Sequence, residues 1–155
     1  MKTQNNISLF QVSEIQVTYY PKFKASERPK ITSSAHAYEI FNHNWDPGKM
    51  QLCEQFYIML LNRNNNVIGL SEISTGGVSG TIADPKRIFA TALKANASQI
   101  ILAHNHPSGN LYPSQQDILL TKKIVEGGKI LDIAILDHLI LTNEYYYSLG
   151  EEGLM

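Results

Sequence analysis

Gln99-Ile-Ile-Leu-Ala-His104-Asn-His106-Pro-Ser-Gly-Asn-Leu-Tyr-Pro-Ser114-Gln-Gln-Asp117 joins a branched apolar run to a cluster of polar groups. The apolar part has the composition of a buried strand, and the polar residues begin where that strand would end. In α/β proteins the C-terminal ends of strands are where ligands and chemistry gather. Side chains alternate along an extended chain, so His104 and His106 project to one side, with backbones about 6–7 Å apart at roughly 3.3 Å per residue. Two imidazoles can then converge on one ion. Pro107 and Gly109 turn the chain and Pro113 primes a new element. Ser114 and Asp117 have the form of a helix N-cap followed by an acidic first turn, where negative charge is favoured. Two histidines and one aspartate, with a fourth place left to water, make a catalytic zinc shell; structural zinc sites are usually closed and rich in cysteine.

Each part has a plainer reading when taken alone. A His-x-His pair also occurs on surfaces and in cores, and Ser-x-x-Asp is commonly just a helix cap. Together, as His-x-His, seven residues, Ser, two residues and Asp, they are far more specific. In this spacing His104, His106, Ser114 and Asp117 resemble the JAMM motif of the JAB/MPN-type metalloproteases. The surrounding Ala-His-Asn-His-Pro-Ser-Gly and Pro-Ser-Gln-Gln-Asp, with a later Leu-Asp-His-Leu-Ile, resemble the RadC branch of that family. The resemblance covers roughly residues 50 to 150. It departs from the longer RadC pattern at the start, where a short extension stands in place of a helix-hairpin-helix module, which speaks against DNA binding.

Length and composition suit one domain over residues 1–155: an N-terminal strand and helix extension to about residue 50, then a core carrying the motif. A formal net charge of −1 gives no global footprint for nucleic acid. With Cys53 as the one cysteine no internal disulfide can form, and a reducing compartment fits. The N-terminus lacks a signal-like apolar run and no stretch approaches the ~18 residues that span a membrane, so the expected location is the cytoplasm.

Along the chain, Glu14 to Tyr20 alternates as a strand would, followed by an arm in which Lys22, Lys24, Arg28 and Lys30 stand near Tyr19, Tyr20 and Phe23. Such a mixture can bind a nucleic-acid strand, but a short run that includes Glu27 reads first as a solvated arm. Ser33 or Ser34 caps a helix to about Trp45, with Tyr38, Phe41 and Trp45 on one stripe and His36 and His43 at its surface. Glu54 to Leu61 is apolar on both faces, hence a central strand, and Val67 to Ser74 returns after the Asn64-Asn65-Asn66 turn. Gly76, Gly77 and Gly80 form a connection without the Gly-Lys-Ser/Thr of a phosphate loop. Asp84-Pro85 starts a helix with Ile88, Ala92 and Ala95 on its apolar side. Ser114 to Glu126 is a helix that turns Ile118, Leu119, Ile124 and Val125 to the core and stops at Gly127-Gly128. Leu131 to Leu141 is a strand and Glu144 to Leu149 a last short one. Asp137 and His138 within this part read as a buried hydrogen-bonded pair rather than ligands. The predicted fold class is α/β, a mixed β-sheet flanked by helices. The resemblance implies the same, as the three-layer JAB/MPN architecture shared with cytidine deaminases.

The chemistry expected of such a site is zinc-assisted hydrolysis of an amide bond in a peptide or protein substrate. A carboxylate must take the proton of the attacking water and pass it to the leaving amine; Glu54 and Glu72 are the candidates. The family places its glutamate where an apolar strand begins, which here is Glu54. It also implies that Ser114 donates a hydrogen bond to the oxyanion, beside or instead of capping its helix. Three other classes are open to weighing. A zinc nucleobase deaminase needs His-x-Glu and Pro-Cys-x-x-Cys, which one cysteine cannot supply. A nuclease read from His-Asn-His founders because those three letters are contiguous here. A non-catalytic zinc-binding module assisting DNA repair or recombination is the remaining alternative.

Overall fold

The computed structural model describes residues 12–16, 18–76 and 83–155. Its centre is a five-stranded sheet in the order β2-β1-β3-β4-β5, built from β1 (Gln55–Leu61), β2 (Val67–Thr75), β3 (Gln99–Asn105), β4 (Ala134–Leu141) and β5 (Tyr146–Ser148). β1 pairs antiparallel with both β2 and β3, β3 runs parallel to β4, and β4 pairs antiparallel with β5. The sheet is therefore mixed. β1 and β3 are central and buried along nearly their whole length, which is why both read as continuous apolar runs rather than alternating ones.

The two faces take different helices. Met59, Leu61, Ile101, Ala103, Leu139 and Leu141 pack with Ala37 and Phe41 of α1 (Ser34–Asn44). Residues of opposite parity, Phe56, Ile58, Leu60, Ile100 and Leu102, pack with Ile88 and Ala92 of α2 (Pro85–Lys94) and Ile124 of α3 (Gln115–Leu131). The result is three layers, as expected. α1 begins where Ser33 accepts the His36 N–H, and α2 where Asp84 accepts the Lys86 N–H ahead of Pro85. Among the described residues no helix is long and apolar enough to cross a membrane.

Four local expectations are corrected. No strand forms among the described residues of 14–20. The sheet edge at β2 meets the arm instead through the Tyr19 hydroxyl on Ile68 O, the Val67 N–H on Pro29 O and a bridge between Lys30 and Asn66. α3 does not stop at Gly127-Gly128 but runs on to Leu131, so Leu131 belongs to the helix and β4 begins only at Ala134. A Cβ on Gly128 would lie 2.4 Å from Ile133 O, and one on Gly127 2.8 Å from the Phe89 ring. These glycines permit close packing of α3 on its neighbours; the helix actually ends at Asp132, in the left-handed region at φ 55°. Leu119, expected in the core, is 65% exposed because it lies on the solvent side of α3. The last strand is shorter than expected, Tyr146–Ser148. Gly77 and Gly80 of the expected connection lie outside the described residues.

Asp137 ties these parts together. Buried on β4, it accepts from Ser34 Oγ at 2.7 Å, from Ser148 Oγ at 2.7 and 2.8 Å, and from the N–H groups of His138 and Gly150 at 2.7 and 3.0 Å. One carboxylate so holds α1, β4, β5 and the C-terminal turn.

Candidate metal centre

The end of β3 delivers the histidines and the first turn of α3 delivers the aspartate. His104 lies opposite Phe56 of β1 and Ile140 of β4 in register, and its alternation puts it on the α2/α3 face. The chain leaves the sheet after Asn105, and the N–H of His106 still donates to Leu141 O at 3.0 Å. The Phe56 ring stacks on that of His104, with centroids 5.9 Å apart and planes 3° from parallel. Ser114 is the N-cap of α3: its Oγ accepts the Asp117 N–H at 3.1 Å, and Asp117 Oδ2 in return accepts the Ser114 N–H at 2.7 Å and hydroxyl at 2.6 Å. This reciprocal cap engages Oδ2, which lies 3.9 Å from His106 Nε2, and leaves Oδ1 3.5 Å from His104 Nε2.

Ligand atoms of His104, His106 and Asp117 all lie within 4.8 Å of one another, a group able to hold a metal ion. The two Nε2 atoms are 3.0 Å apart. Nδ1 of His106 faces the carbonyl of Asn110. A carbonyl only accepts, so the hydrogen of a neutral His106 sits on Nδ1 and its Nε2 presents a bare lone pair to His104 and to Asp117. A cation placed among these groups would satisfy that lone pair and the carboxylate together. Two imidazole nitrogens and a carboxylate oxygen are also a donor set of zinc sites that keep an open position. Burial pushes the His104 imidazole down to about 4, with the Asp117 carboxylate opposing and His106 adding to that shift. His104 is thus uncharged and ready to ligate at neutral pH.

Behind the site, His104 Nδ1 is 2.8 Å from His138 Nε2, and His138 Nδ1 is 2.6 Å from Thr121 Oγ1. Asp137 and His138 are buried and hydrogen-bonded, as expected, but His138 makes its bonds to the histidine of the site. Thr121 carried no sequence signal: a threonine inside a helix is unremarkable until its neighbour from β4 is known.

The two candidate carboxylates are placed differently. Glu72 accepts from the Tyr57 hydroxyl at 2.9 Å, from Gln55 Nε2 at 3.2 Å and from the Thr75 hydroxyl. Tyr57 packs with the α1-side core, so Glu72 belongs to the face of the sheet away from His104. The Thr75 hydrogen bond holds its carboxyl below the usual range, against the opposing effect of burial. Glu54 immediately precedes β1, two residues before the Phe56 that stacks on His104, and is half-buried. Its segment is clamped by Asn105, wholly buried between the two histidines in sequence. Asn105 Oδ1 accepts the Gln55 N–H at 2.7 Å, and Nδ2 donates to Met50 O and Cys53 O at 2.8 and 2.9 Å. Strand alternation makes this possible, since His104 and His106 point to one face and Asn105 to the other.

The family model for the RadC-like JAB domain matches residues 31–154. The chain belongs to the RadC family. It is 47% identical over 126 residues to a UPF0758 protein of Flavobacterium johnsoniae, covering 81% of this chain and 53% of that protein. A UPF0758 protein of Methanosarcina mazei is 35% identical over 133 residues, 86% of this chain and 57% of the relative. One from Alkaliphilus metalliredigens is 47% identical over 102 residues, 66% and 44% respectively. The chain thus spans about half the length of these RadC-family relatives. The match begins at Ile31 and so takes in α1 as well as the motif-bearing strands and helices.

Proposed function

We propose that this RadC-family chain is a zinc-dependent hydrolase of the JAMM type, acting in the cytoplasm on an amide bond of a peptide or protein. The observation that carries the reading is the convergence of His104, His106 and Asp117 within 4.8 Å on the open end of a sheet. His104, His106 and Asp117 would hold the zinc, which when bound would supply Lewis acidity to activate a water near neutral pH and to polarise the scissile carbonyl. Glu54 takes the proton of the attacking water and delivers it to the leaving amine. Ser114 turns its hydroxyl from Asp117 to the developing oxyanion, while its N–H bond to Asp117 keeps that carboxylate in place. Asn105 holds the Met50–Gln55 segment, and with it the approach of Glu54. The free thiol of Cys53 suits a reducing compartment.

Metal analysis and a peptide-library assay test this on zinc-loaded protein, with the chelated form as control. Wild type is expected to hold about one zinc per chain, and the His104→Ala/His106→Ala double variant none. Glu54→Gln keeps the zinc and loses at least about a hundredfold in rate, whereas Glu72→Gln loses far less. An active Glu54→Gln beside an inactive Glu72→Gln transfers the proton-shuttling role, and equal zinc in the double variant ends the metal assignment.

A further inference from the structure

Two wholly buried polar side chains behind the site have no part in the chemistry above. His138 of β4 and Thr121 of α3 are both fully shielded from solvent. They continue a line from His104 Nδ1 to His138 Nε2 at 2.8 Å, from His138 Nδ1 to Thr121 Oγ1 at 2.6 Å, and from Thr121 Oγ1 to the main-chain carbonyl of Asp117 at 2.6 Å. The far end decides the direction. A carbonyl only accepts, so Thr121 gives it the single hydroxyl hydrogen, as helical threonines do to the residue four positions earlier. Thr121 Oγ1 can then only accept, and His138 must donate to it from Nδ1. A histidine is mostly uncharged at neutral pH, and more so when buried, so His138 has one ring hydrogen and its Nε2 is bare. His104 must therefore donate from Nδ1, which leaves its own Nε2 as a lone pair facing His106 and Asp117.

We infer that His138 and Thr121 are positioning residues of the metal centre, fixing His104 in the tautomer that ligates through Nε2. The inference rests on the metal reading proposed above. Metal-bound histidines commonly lean on a carboxylate or carbonyl directly. Here the carbonyl acts through two intervening side chains, and it belongs to Asp117, itself the third ligand. The line consequently forms a closed circuit: from His104 on β3 through β4 and α3 to Asp117, and back across the site. Strand and helix are held at ligating distance before any ion arrives. Phe56, stacked on His104 and edge-on to His138 at 5.4 Å, closes the circuit against the core.

Two measurements on the full chain test this. In metal-free wild type near pH 7.5, long-range proton–nitrogen correlation spectra of labelled histidines are expected to show His104 and His138 both carrying hydrogen on Nδ1. Zinc affinity, read by competition with a chromophoric chelator, is expected to fall about tenfold or more in Thr121→Val and to return to within about threefold of wild type in Thr121→Ser. Unfolding midpoints accompany each value, because a purely structural threonine would lower the midpoint without changing affinity. Hydrogen on Nε2 of either histidine overturns the inference, as does a folded Thr121→Val with wild-type affinity. Should Thr121→Val not fold, the wild-type spectra decide alone. Wild type without zinc binding defeats the metal reading and this inference with it; the wrong tautomers in a zinc-binding protein defeat only the inference.

Discussion

Acidifying the metal-free protein should destabilise it through its buried histidines. In an unfolded chain a histidine takes up its proton near pH 6.5. Burial holds His104 down to about 4 in the folded protein. Between these values the unfolded state carries the extra proton, so stability falls as pH falls, by about 1.4 kcal/mol per unit for each such group. Going from about pH 6.5 to about pH 5 then removes about 2 kcal/mol through His104 alone. His138, pushed well down by burial and by the neighbouring His104, adds a loss of the same sign. For His104 the loss levels off below about pH 4, where both states are protonated. Glu72, whose carboxyl is shifted down from 4.5, contributes its own loss only below that value and so does not confuse the window. Against a typical total stability of about 5–15 kcal/mol the effect is large. Urea unfolding of chelator-treated protein, followed from about pH 7.5 to about pH 5, measures it as a falling midpoint at constant slope. His104→Gln, which removes one of the two groups, should make the profile shallower, with the contribution of His138 remaining. A midpoint that stays level across that range would refute the argument that these imidazoles are sealed in uncharged form.

Three further outcomes are expected. Gly128→Ala should cost about 1–3 kcal/mol in chemical denaturation, since its Cβ meets the fixed Ile133 carbonyl at 2.4 Å, while Gly127→Ala, facing only the movable Phe89 ring, should cost much less. Asp137→Ala strands the Ser34 and Ser148 hydroxyls and the His138 and Gly150 N–H groups, and should lower unfolding free energy by about 3 kcal/mol or more. DNA binding, read by fluorescence anisotropy, should be weak and steeply salt-dependent, because the basic arm is short and the formal net charge is −1. Sub-micromolar affinity at physiological salt that vanishes on replacing Lys22, Lys24, Arg28 and Lys30 would instead favour a nucleic-acid-binding module.

The parts legible in sequence were those encoded by short-range patterns. Asp84-Pro85 starts its helix because cap and first-turn proline act within one turn. The apolar runs at Tyr57–Leu61 and Ile100–Ala103 reveal central strands because both faces of each are covered. Misreadings arose where one residue type serves two ends. Gly127-Gly128 has the letters of a helix stop, yet its lack of side chains is used for packing against Ile133 and Phe89. Glu14–Tyr20 has the alternation of a strand, but alternation alone supplies no partner, and the β2 edge is met by Tyr19, Pro29 and Lys30 instead. At the site, the ligand cluster follows from spacing, while Thr121 and Asn105 depend on contacts with β4 and with Met50–Gln55 that no local pattern contains.

The residues able to hold an ion all come from one uninterrupted stretch, His104–Asp117, whereas Glu54 arrives from another part of the chain on a segment pinned by Asn105. In the proposed hydrolase, affinity for the ion and the capacity to use it are thus encoded in separate stretches of the chain. A change confined to the segment before β1 would leave the group of His104, His106 and Asp117 in place. The reverse loss, of the histidines with Glu54 kept, would in the same scheme leave a carboxylate without the ion it serves.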